Sequence, residues 1–215
     1  MGVKGRNRKG MVRFLTFGLI TLLFSLSMAG PAYSGQFGDA VAAYERGDYA
    51  TAFRLMKPLA EKGDAKAQHN LGVMYDYGRG VPQANNEALR WYRKAAEQGL
   101  PDAQHNLGLI YAAGQGVPQD HSMAGKWYRR AAEQGLPEAQ VNLGIMYYNG
   151  QGVPQDYILA HMWLNIAASQ YPASVKKSVN DVVNYREIVH AKMTPAQVAE
   201  AQRLAREWKP KKEAR

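Results

Sequence analysis

The chain contains no cysteine. This absence excludes disulfide bonds, thiolate metal sites, cysteine nucleophiles and lipid attachment at an N-terminal cysteine. If the chain is exported, packing alone must stabilise it. β-Branched residues are also sparse outside the loops, whereas alanine and glycine are abundant. This composition favours helices that pack closely through small side chains.

Acidic residues are absent from the first 34 positions, where a basic segment ending at Arg13 precedes a mostly apolar run of 15 residues at 14–28. Small residues follow that run. This order predicts a secretory signal peptide at 1–34, cleaved near Ala32 or Ser34, and export to the periplasm or the medium. The alternative is an uncleaved membrane anchor, although a spanning helix needs about 20 apolar residues.

Removal of this segment would change the charge balance. Five of the 27 Lys and Arg residues would leave and none of the 18 Asp and Glu residues, which leaves 22 against 18, a net charge of +4. We therefore expect no nucleic-acid partner, because that function requires a clustered basic face. The only locally basic stretch is the tail at 209–212, closed by Arg215, and we expect a solvated terminus there.

The chain also lacks the motifs of common catalytic sites. It has no H-E-x-x-H, no G-x-S-x-G, no phosphate-binding loop and no dinucleotide-binding fingerprint. Two of its five histidines, His69 and His105, occupy equivalent positions of a repeat, and the others are isolated. We therefore expect no metal, no cofactor and no enzymatic activity.

What the chain does contain is an internal repeat. Trp91, Trp127 and Trp163 are spaced 36 residues apart, and the strings AAEQGLPDAQ (95–104) and AAEQGLPEAQ (131–140) differ at one residue. A fixed period in the thirties predicts a stacked array of helical units. Arrays of this kind usually bind other molecules on an extended surface.

Each unit is predicted to be a helix–turn–helix. In the unit at 96–131, Gly99 stands where a helix should stop and Pro101 where the next should start. A first helix (helix A) is predicted at about 102–113 and a second (helix B) at about 120–134. The loop between them contains Gly114, Gly116 and Pro118, which are incompatible with a continuing helix.

Apolar residues mark the predicted core of the array. Ala103, Leu107, Ile110 and Tyr111 share one face of helix A, and their equivalents recur in the neighbouring units. A glycine recurs in the middle of the same helix despite a cost of up to about 1 kcal/mol relative to alanine. We infer that the helices approach too closely there for a β-carbon. The three tryptophans are predicted to be buried between helices.

The repeated unit A-x-A-Q-x-N-L-G-x-x-Y-x-x-G-x-G-V-P-Q-D, followed by W-Y-R-K-A-A-E-Q-G, resembles the Sel-one-like repeat family, relatives of the tetratricopeptide repeats. The resemblance covers residues 60–168, with Leu164 replacing the tyrosine of the third unit. It implies an all-α fold, a right-handed superhelical α-solenoid, and adaptor roles. Some cysteine-rich secreted relatives are associated with β-lactam binding or hydrolysis, but this chain lacks their cysteines.

The predicted organisation has six segments: a signal peptide at 1–34, an N-terminal capping half-repeat at 35–59, repeats at 60–95, 96–131 and 132–168, and C-terminal capping helices with a basic tail at 169–215. Within the last segment we expect one helix at 174–192 and another ending near Trp208. Thr194, Pro195 and Gln197 form a predicted capping box at the start of that last helix.

In tetratricopeptide-like arrays helix A lines the concave groove, so the resemblance places the outer face of helix A there. The residues on this face vary between units, except that an aliphatic residue recurs in each. An apolar strip with a polar rim suits a peptide or a helix. The predicted partner-binding residues are Lys66, His69, Val73, Asp76, Tyr77, Asp102, His105, Leu109, Glu138, Val141, Ile145, Tyr148 and Asn149.

Asparagine also recurs in every unit, as Asn70, Asn106 and Asn142, and we expect these side chains to bond backbone groups between units. The function predicted is an exported, non-enzymatic repeat protein that binds a polypeptide and acts as an adaptor or assembly factor in the cell envelope. The alternative is a ligand binder or hydrolase acting on cell-wall material such as β-lactams or muropeptides, which the missing cysteines and catalytic motifs disfavour. A membrane is a partner only if the N-terminal segment stays attached.

Overall fold

The computed structural model describes residues 35–171 and 176–211, so the predicted signal peptide lies outside the described residues. Every regular element in the described ranges is an α-helix. The helices are α1 Gln36–Glu45, α2 Tyr49–Glu61, α3 Ala65–Tyr77, α4 Asn85–Glu97, α5 Pro101–Ala113, α6 His121–Glu133, α7 Pro137–Asn149, α8 Tyr157–Gln170, α9 Lys176–His190 and α10 Pro195–Glu207. In these ranges no helix is both long and apolar enough to cross a bilayer.

Helices pack as consecutive pairs, and the second helix of each pair contacts the first helix of the next. The pairs α3–α4, α5–α6 and α7–α8 are the helices A and B predicted for the three units. The pair α1–α2 precedes them and packs onto α3 in the same manner. The predicted all-α solenoid is therefore confirmed.

Side-chain caps and glycines set the ends of the helices. Asp64, Asp120 and Asp156 each accept a hydrogen bond from the backbone N–H three residues later, which satisfies a free donor of the first turn. The capping box of Thr194 and Gln197 is present at the start of α10. Gly114 ends α5 in the left-handed conformation, which a side chain would disfavour.

The core follows the predicted periodicity. Ala103 and Leu107 are fully buried and Ile110 nearly so, whereas Tyr111 is half-buried. The recurrent glycine of helix A lies against helix B of its own pair: a β-carbon on Gly108 would fall 2.4 Å from Cδ1 of Tyr128. The inferred close approach is therefore confirmed. Trp91 and Trp163 are buried as expected, but Trp127 is only half-buried.

The C-terminal helices depart from the regular order. Helix α9 packs against α8 as a next helix A would, whereas α10 packs against α8 rather than pairing with α9. Trp208 meets Trp163 edge to face, with ring centroids 5.9 Å apart. Both helices therefore cover the last helix B of the array.

Residues 209–211 of the tail are exposed, as expected of a solvated terminus, but Lys211 also contacts the end of α6. The backbone N–H of Lys211 donates to the Glu133 carbonyl at 2.8 Å, and its ammonium lies 3.3 Å from the Glu133 carboxylate. Trp208 and Pro210, which follow α10, also lie beside Gly135 in the turn between α6 and α7. Residues 212–215 lie outside the described part.

Candidate binding surface

The thirteen residues predicted to bind a partner lie on α3, α5 and α7, the helices A of the three central pairs. Their exposure differs widely. Exposed members are Lys66, Tyr77, Asp102 and Asn149; half-buried members are His69, Asp76, His105, Leu109, Glu138 and Tyr148; buried members are Val73, Val141 and Ile145. The exposed and half-buried ten are called the helix-A face below.

The expected aliphatic strip is largely inside the array. Val73 belongs to one apolar cluster and Ile145 to another, and Leu109 is a half-buried neighbour of the second cluster. An aliphatic residue recurs at this position because it packs against neighbouring helices. The strip therefore offers a partner little apolar area beyond Leu109.

His69 and His105 connect successive repeats. The Asn106 amide nitrogen lies 3.1 Å from Nε2 of His69, and the Asn142 amide nitrogen lies 3.0 Å from Nε2 of His105. An amide nitrogen can only donate, so each imidazole accepts at Nε2 in its neutral form. Burial lowers the pKa of both rings, that of His105 to about 4, because a buried imidazolium loses its hydration.

These contacts correct the expectation for two of the recurrent asparagines. Asn106 and Asn142 do bridge repeats, but their partner is the histidine ring of the preceding repeat and not the backbone. The series changes in the third unit, where Val141 takes the histidine position and joins the same apolar cluster as Val182 of α9. Valine suits that position because α9 presents apolar side chains to this cluster.

Two carboxyl groups of the helix-A face have perturbed pKa values. Burial raises the pKa of Asp76, which accepts a hydrogen bond from the Tyr92 hydroxyl at 3.3 Å. Burial also raises the pKa of Glu138, and the negative charge of Asp102 raises it further. The face is therefore weakly acidic around Asp102 and Glu138. The equivalent residue of the first unit is the basic Lys66.

A cationic group lies among tyrosines at one end of the face. The guanidinium of Arg79 is 5.3–5.5 Å from the ring centroids of Tyr44, Tyr49 and Tyr77 and donates to the Tyr44 hydroxyl. Such cation–π contacts favour a fixed position for the guanidinium. The equivalent residues in later units are Gln115 and Gln151, so this arrangement is specific to the first unit.

Besides the His–Asn bonds, a second series of hydrogen bonds between repeats is made by glutamine side chains, and it was not predicted from the sequence. Gln68, Gln104 and Gln140 are buried, and each donates to the carbonyl of the residue eight positions earlier. Gln98 then donates to the side-chain oxygen of Gln68, and Gln134 to that of Gln104. Recurrence at the 36-residue period was the available signal, but glutamine lacks the apolar character by which core positions were selected.

The described ranges hold no group of three His, Asp or Glu residues placed to bind a metal ion. Two histidine rings do lie near each other: the centroid of His161 on α8 is 5.8 Å from that of His190 on α9. Burial lowers the pKa of His161, and the positive charges of Arg186 and His190 lower it further. This pair joins the C-terminal helices to the array.

The fold is thus a solenoid of helix–turn–helix repeats held together by side-chain ladders. A family model described as Sel1 repeat matches residues 26–64, 65–100, 101–136 and 137–171. The chain belongs to this family. The first match includes α1 and α2, the helix pair expected to be an N-terminal cap.

Solved structures show the same architecture. The chain is 36% identical to c5321, a protective antigen present in uropathogenic Escherichia coli strains and displaying an SLR fold, with a TM-score of 0.70 over 80% of this chain and 37% of that one. It is 46% identical to a Sel1 repeat protein from Oxalobacter formigenes, with a TM-score of 0.52 over 59% of this chain and 95% of that one.

Among curated proteins, 43 residues are 40% identical to DAP3-binding cell death enhancer 1 of Mus musculus. The match covers 20% of this chain and 8% of the mouse protein. The chain therefore spans a small fraction of this relative and about a third of c5321. What is shared is the repeat, and Sel1 repeats generally form non-enzymatic scaffolds that mediate protein–protein interaction.

Proposed function

We propose that this chain is an exported, non-enzymatic repeat protein that binds a polypeptide on its helix-A face and acts as an adaptor or assembly factor in the cell envelope. The observation that carries the proposal is the exposure of Tyr77. Tyr77 is 44% exposed. In the described ranges the other exposed large apolar residue is Ile188, which lies on α9. Solvent-accessible tyrosines are characteristic anchors of protein interfaces.

The second unit, next to that of Tyr77, offers a position where an apolar side chain of a partner could bind. Tyr77 and Asp76 are replaced by Ala113 and Ala112 in the second unit, and by Asn149 and Tyr148 in the third. The exposed Ala113 has a smaller side chain than Tyr77 and Asn149 on either side, whereas Ala112 is buried in the apolar cluster of Leu143. Leu109 lies one turn earlier on the same helix. We propose that an apolar side chain of the partner enters at this point.

Polar residues of the helix-A face surround this position. Lys66 and Asp102 are exposed, and Glu138 is half-buried with a raised pKa. A partner that places a cationic side chain near Asp102 and Glu138 would relieve the repulsion between these two carboxyl groups. The partner segment we propose therefore combines an apolar anchor with a basic residue. The mouse relative is itself named for binding another protein, DAP3.

The histidines have a different part in this proposal. Because His69 and His105 are hydrogen-bonded to the next repeat, they fix the spacing of the helix-A face. Their substitution should therefore weaken stability and binding together. Substitution of Tyr77 or Tyr148 should weaken binding and leave the array folded.

Affinity capture from the cell envelope, followed by identification of the bound proteins, tests the binding surface. The informative variants are Tyr77→Ala and the pair Leu109→Arg with Tyr148→Ala. Ile188→Ala is the matched control, because it removes an equally exposed apolar side chain from α9. We expect the partner to be lost from the first two variants and retained by the control. A partner that survives all of these changes contradicts the assignment of the surface.

Export is tested separately by mass spectrometry of the chain recovered from the cell. We expect an N-terminus near Tyr33 or Gly35, following cleavage at the small residues after the apolar run. An intact N-terminus on a membrane-associated chain would instead indicate a retained anchor. That result would change the location of the protein and leave the binding surface as proposed.

A further inference from the structure

Eight cations recur on the helices B of the first three pairs. Along the sequence these residues are separated by the 36-residue period, so no short stretch contains them all. They are Arg54 and Lys57 on α2, Arg90, Arg93 and Lys94 on α4, and Lys126, Arg129 and Arg130 on α6. We call this set the helix-B basic face.

The repeat brings these side chains to one side of the array. Arg54, Arg90 and Lys126 occupy equivalent positions, as do Lys57, Arg93 and Arg129, so each row has the same orientation on its helix. All eight residues are exposed. Helix B of each pair packs against helix A of the next pair, so α2, α4 and α6 follow one another along the array. The set therefore forms a positive surface that spans three successive helices B.

Carboxylates neutralise little of this charge within the described ranges. Arg90 pairs with Glu87 at 2.6 Å, and Lys57 lies 3.9 Å from Glu61. No other member has an ion pair in those ranges, although the charge of Arg54 contributes weakly to the lowered pKa of Asp48. Six of the eight cations therefore have no ion pair in those ranges, although Glu97 and Glu133 lie about one turn from Arg93 and Arg129, and the face retains a net positive charge for an external anion.

Other contacts hold several of these cations in place without cancelling their charge. Arg93 and Arg129 donate to the hydroxyls of Tyr111 and Tyr147 in the next repeat. Lys94 lies 4.7 Å from the centroid of Trp91, and Arg130 lies 4.8 Å from that of Trp127. The positive face is thus partly pre-arranged, which reduces the entropy lost when an anion binds.

The face offers charge without apolar anchors. The large apolar side chains most exposed in the described part of the chain, Tyr77 and Ile188, lie on α3 and α9. Trp91 is only 3% exposed, and the half-buried ring of Trp127 lies against the Arg130 guanidinium, so neither ring is an open platform on which a nucleic-acid base could stack. A broad, purely electrostatic surface suits a partner whose negative charge is spread over an area, as in a bilayer of anionic lipids.

The face ends at the fourth pair. On α8 the equivalent positions hold Met162, Asn165 and Ile166, and the two apolar residues are buried. Arg186 of α9 donates to the side-chain oxygen of Asn165 at 3.2 Å. The C-terminal helices therefore cover the side of α8 that would otherwise extend the face, so only α2, α4 and α6 take part.

We propose that the helix-B basic face binds the surface of an anionic phospholipid membrane. Lys and Arg side chains contact the lipid phosphates, and no side chain enters the hydrocarbon. Helix B carries this contact and helix A the polypeptide site, so both can be occupied at once. The choice of lipid over nucleic acid rests on the proposed export, because phospholipid is the phosphate-rich surface that an envelope protein meets.

Vesicle flotation tests this proposal with the chain as it is recovered from the cell. Binding is compared, at limiting lipid, between vesicles of phosphatidylcholine and vesicles that also contain 30% phosphatidylglycerol, a composition chosen as roughly that of an anionic membrane. Because a retained apolar segment would bind both kinds of vesicle, the measured quantity is the excess on anionic vesicles. We expect an excess at low salt that is lost at about 0.5 M salt, where screening is strong.

Two triple variants with the same loss of charge separate a local surface from net charge. The test variant is Arg54→Gln, Lys94→Gln and Lys126→Gln, one change on each of α2, α4 and α6. The control is Lys192→Gln, Arg206→Gln and Lys209→Gln, at exposed positions outside the face. At about five-fold per charge, the test variant should lose about 100-fold in partitioning to anionic vesicles. The control should stay within about five-fold of the original chain.

Three results would overturn the proposal: equal binding to both kinds of vesicle, equal loss in the two variants, or retention of vesicle binding in the test variant. DNA binding that only the test variant loses, without any excess on anionic vesicles, would identify the face as a nucleic-acid site instead. Circular dichroism checks that both variants remain helical. Capture of the polypeptide partner depends on other helices, so its success or failure is read independently.

Discussion

At the scale of single residues, glycine and histidine show how a repeat position acquires its identity. Gly72 and Gly108 lie against the rings of Tyr92 and Tyr128, and a β-carbon there would fall within 2.8 Å of a ring carbon. In the third unit Leu164 replaces the tyrosine, and the space beside Gly144 is wider at 2.9 Å. The glycine is therefore required by the side chain that faces it from helix B, which is a tyrosine ring in the first two units and Leu164 in the third.

Replacement of Gly108 by alanine should destabilise the protein by about 1–2 kcal/mol. The gain in helix propensity is about 1 kcal/mol, but displacement of the rigid Tyr128 ring costs more. Gly125→Ala on α6 is the matched control, because its β-carbon would meet the flexible end of Met146 and one methyl group of Val153, each at 3.3 Å and without a ring. The control should be neutral or up to about 1 kcal/mol more stable. Urea unfolding of both variants checks this, and equal effects would contradict the explanation.

His105 should make the stability of the protein depend on pH. Its pKa is lowered from 6.5 to about 4 by burial, so below pH 6.5 the unfolded chain binds a proton that the folded chain does not. Its contribution is therefore fully present above pH 6.5 and is lost as the pH falls toward 4. The loss is up to about 3 kcal/mol, and less to the extent that the edge of the ring reaches solvent.

The measurement is urea unfolding of the original chain and of His105→Gln between pH 7 and pH 4. The variant should be less stable at pH 7, because it lacks the bond from Asn142. Its stability should also change less across this pH interval. Parallel pH profiles for the two proteins would exclude His105 as the cause.

At the scale of elements, helix α10 shows how the array is closed. The solenoid order would pair it with α9, but it packs against α8 and brings Trp208 onto Trp163. Lys211 then bonds to the carbonyl of Glu133 at the end of α6. The reason is that the apolar side of α8 needs a cover where no further repeat follows.

Trp208→Ala should loosen α10 and leave the earlier repeats intact. Loss of the half-buried ring should cost about 2 kcal/mol in the free energy that holds α10 in place. Hydrogen exchange, read segment by segment, should show faster exchange in α10 and in the tail and little change in α3–α6. Lys209→Ala, at the neighbouring exposed position, serves as the control. A uniform increase across all helices would mean that α10 and the array unfold as one unit.

At the scale of the whole molecule, stability is distributed along the array. The buried apolar residues of the central pairs form two clusters, one around Leu107 and one around Leu143. Leu71 is fully buried and belongs to neither. Leu71 therefore shares no apolar cluster with Leu143 in the described part of the chain, and the energies of these two sites should add.

Leu71→Ala and Leu143→Ala should each cost about 2–5 kcal/mol in free energy of unfolding. Because the two sites share no partner, the double variant should equal the sum of the two within about 0.5 kcal/mol. Denaturant unfolding with a common slope provides the comparison. Leu143→Ala combined with Leu164→Ala, within one apolar cluster, is the contrast and should depart from additivity more strongly. A strong coupling between Leu71 and Leu143 would show that the array behaves as a single core.

The sequence by itself determined the period, the helices and the helix faces of the core. These are local properties: Gly99 and Pro101 punctuate the chain, and Ala103 and Leu107 follow the helical period, so they can be read without knowing what lies alongside. The mid-helix glycine and the capping box at Thr194 were predicted for the same reason. Family membership followed from the same recurrent residues.

Only the tertiary structure decided which polar residues join the repeats and which surfaces remain open. His69 bonds to a residue 37 positions away and Gln98 to one 30 positions away, so neither partner is visible in a local pattern. Val73 was expected on an open strip and is buried, because neighbouring helices cover it. The helix-B basic face exists only after stacking aligns cations that are 36 residues apart. Contacts and charge densities across a stack depend on the packing of different repeats, and no single stretch of sequence encodes that packing alone.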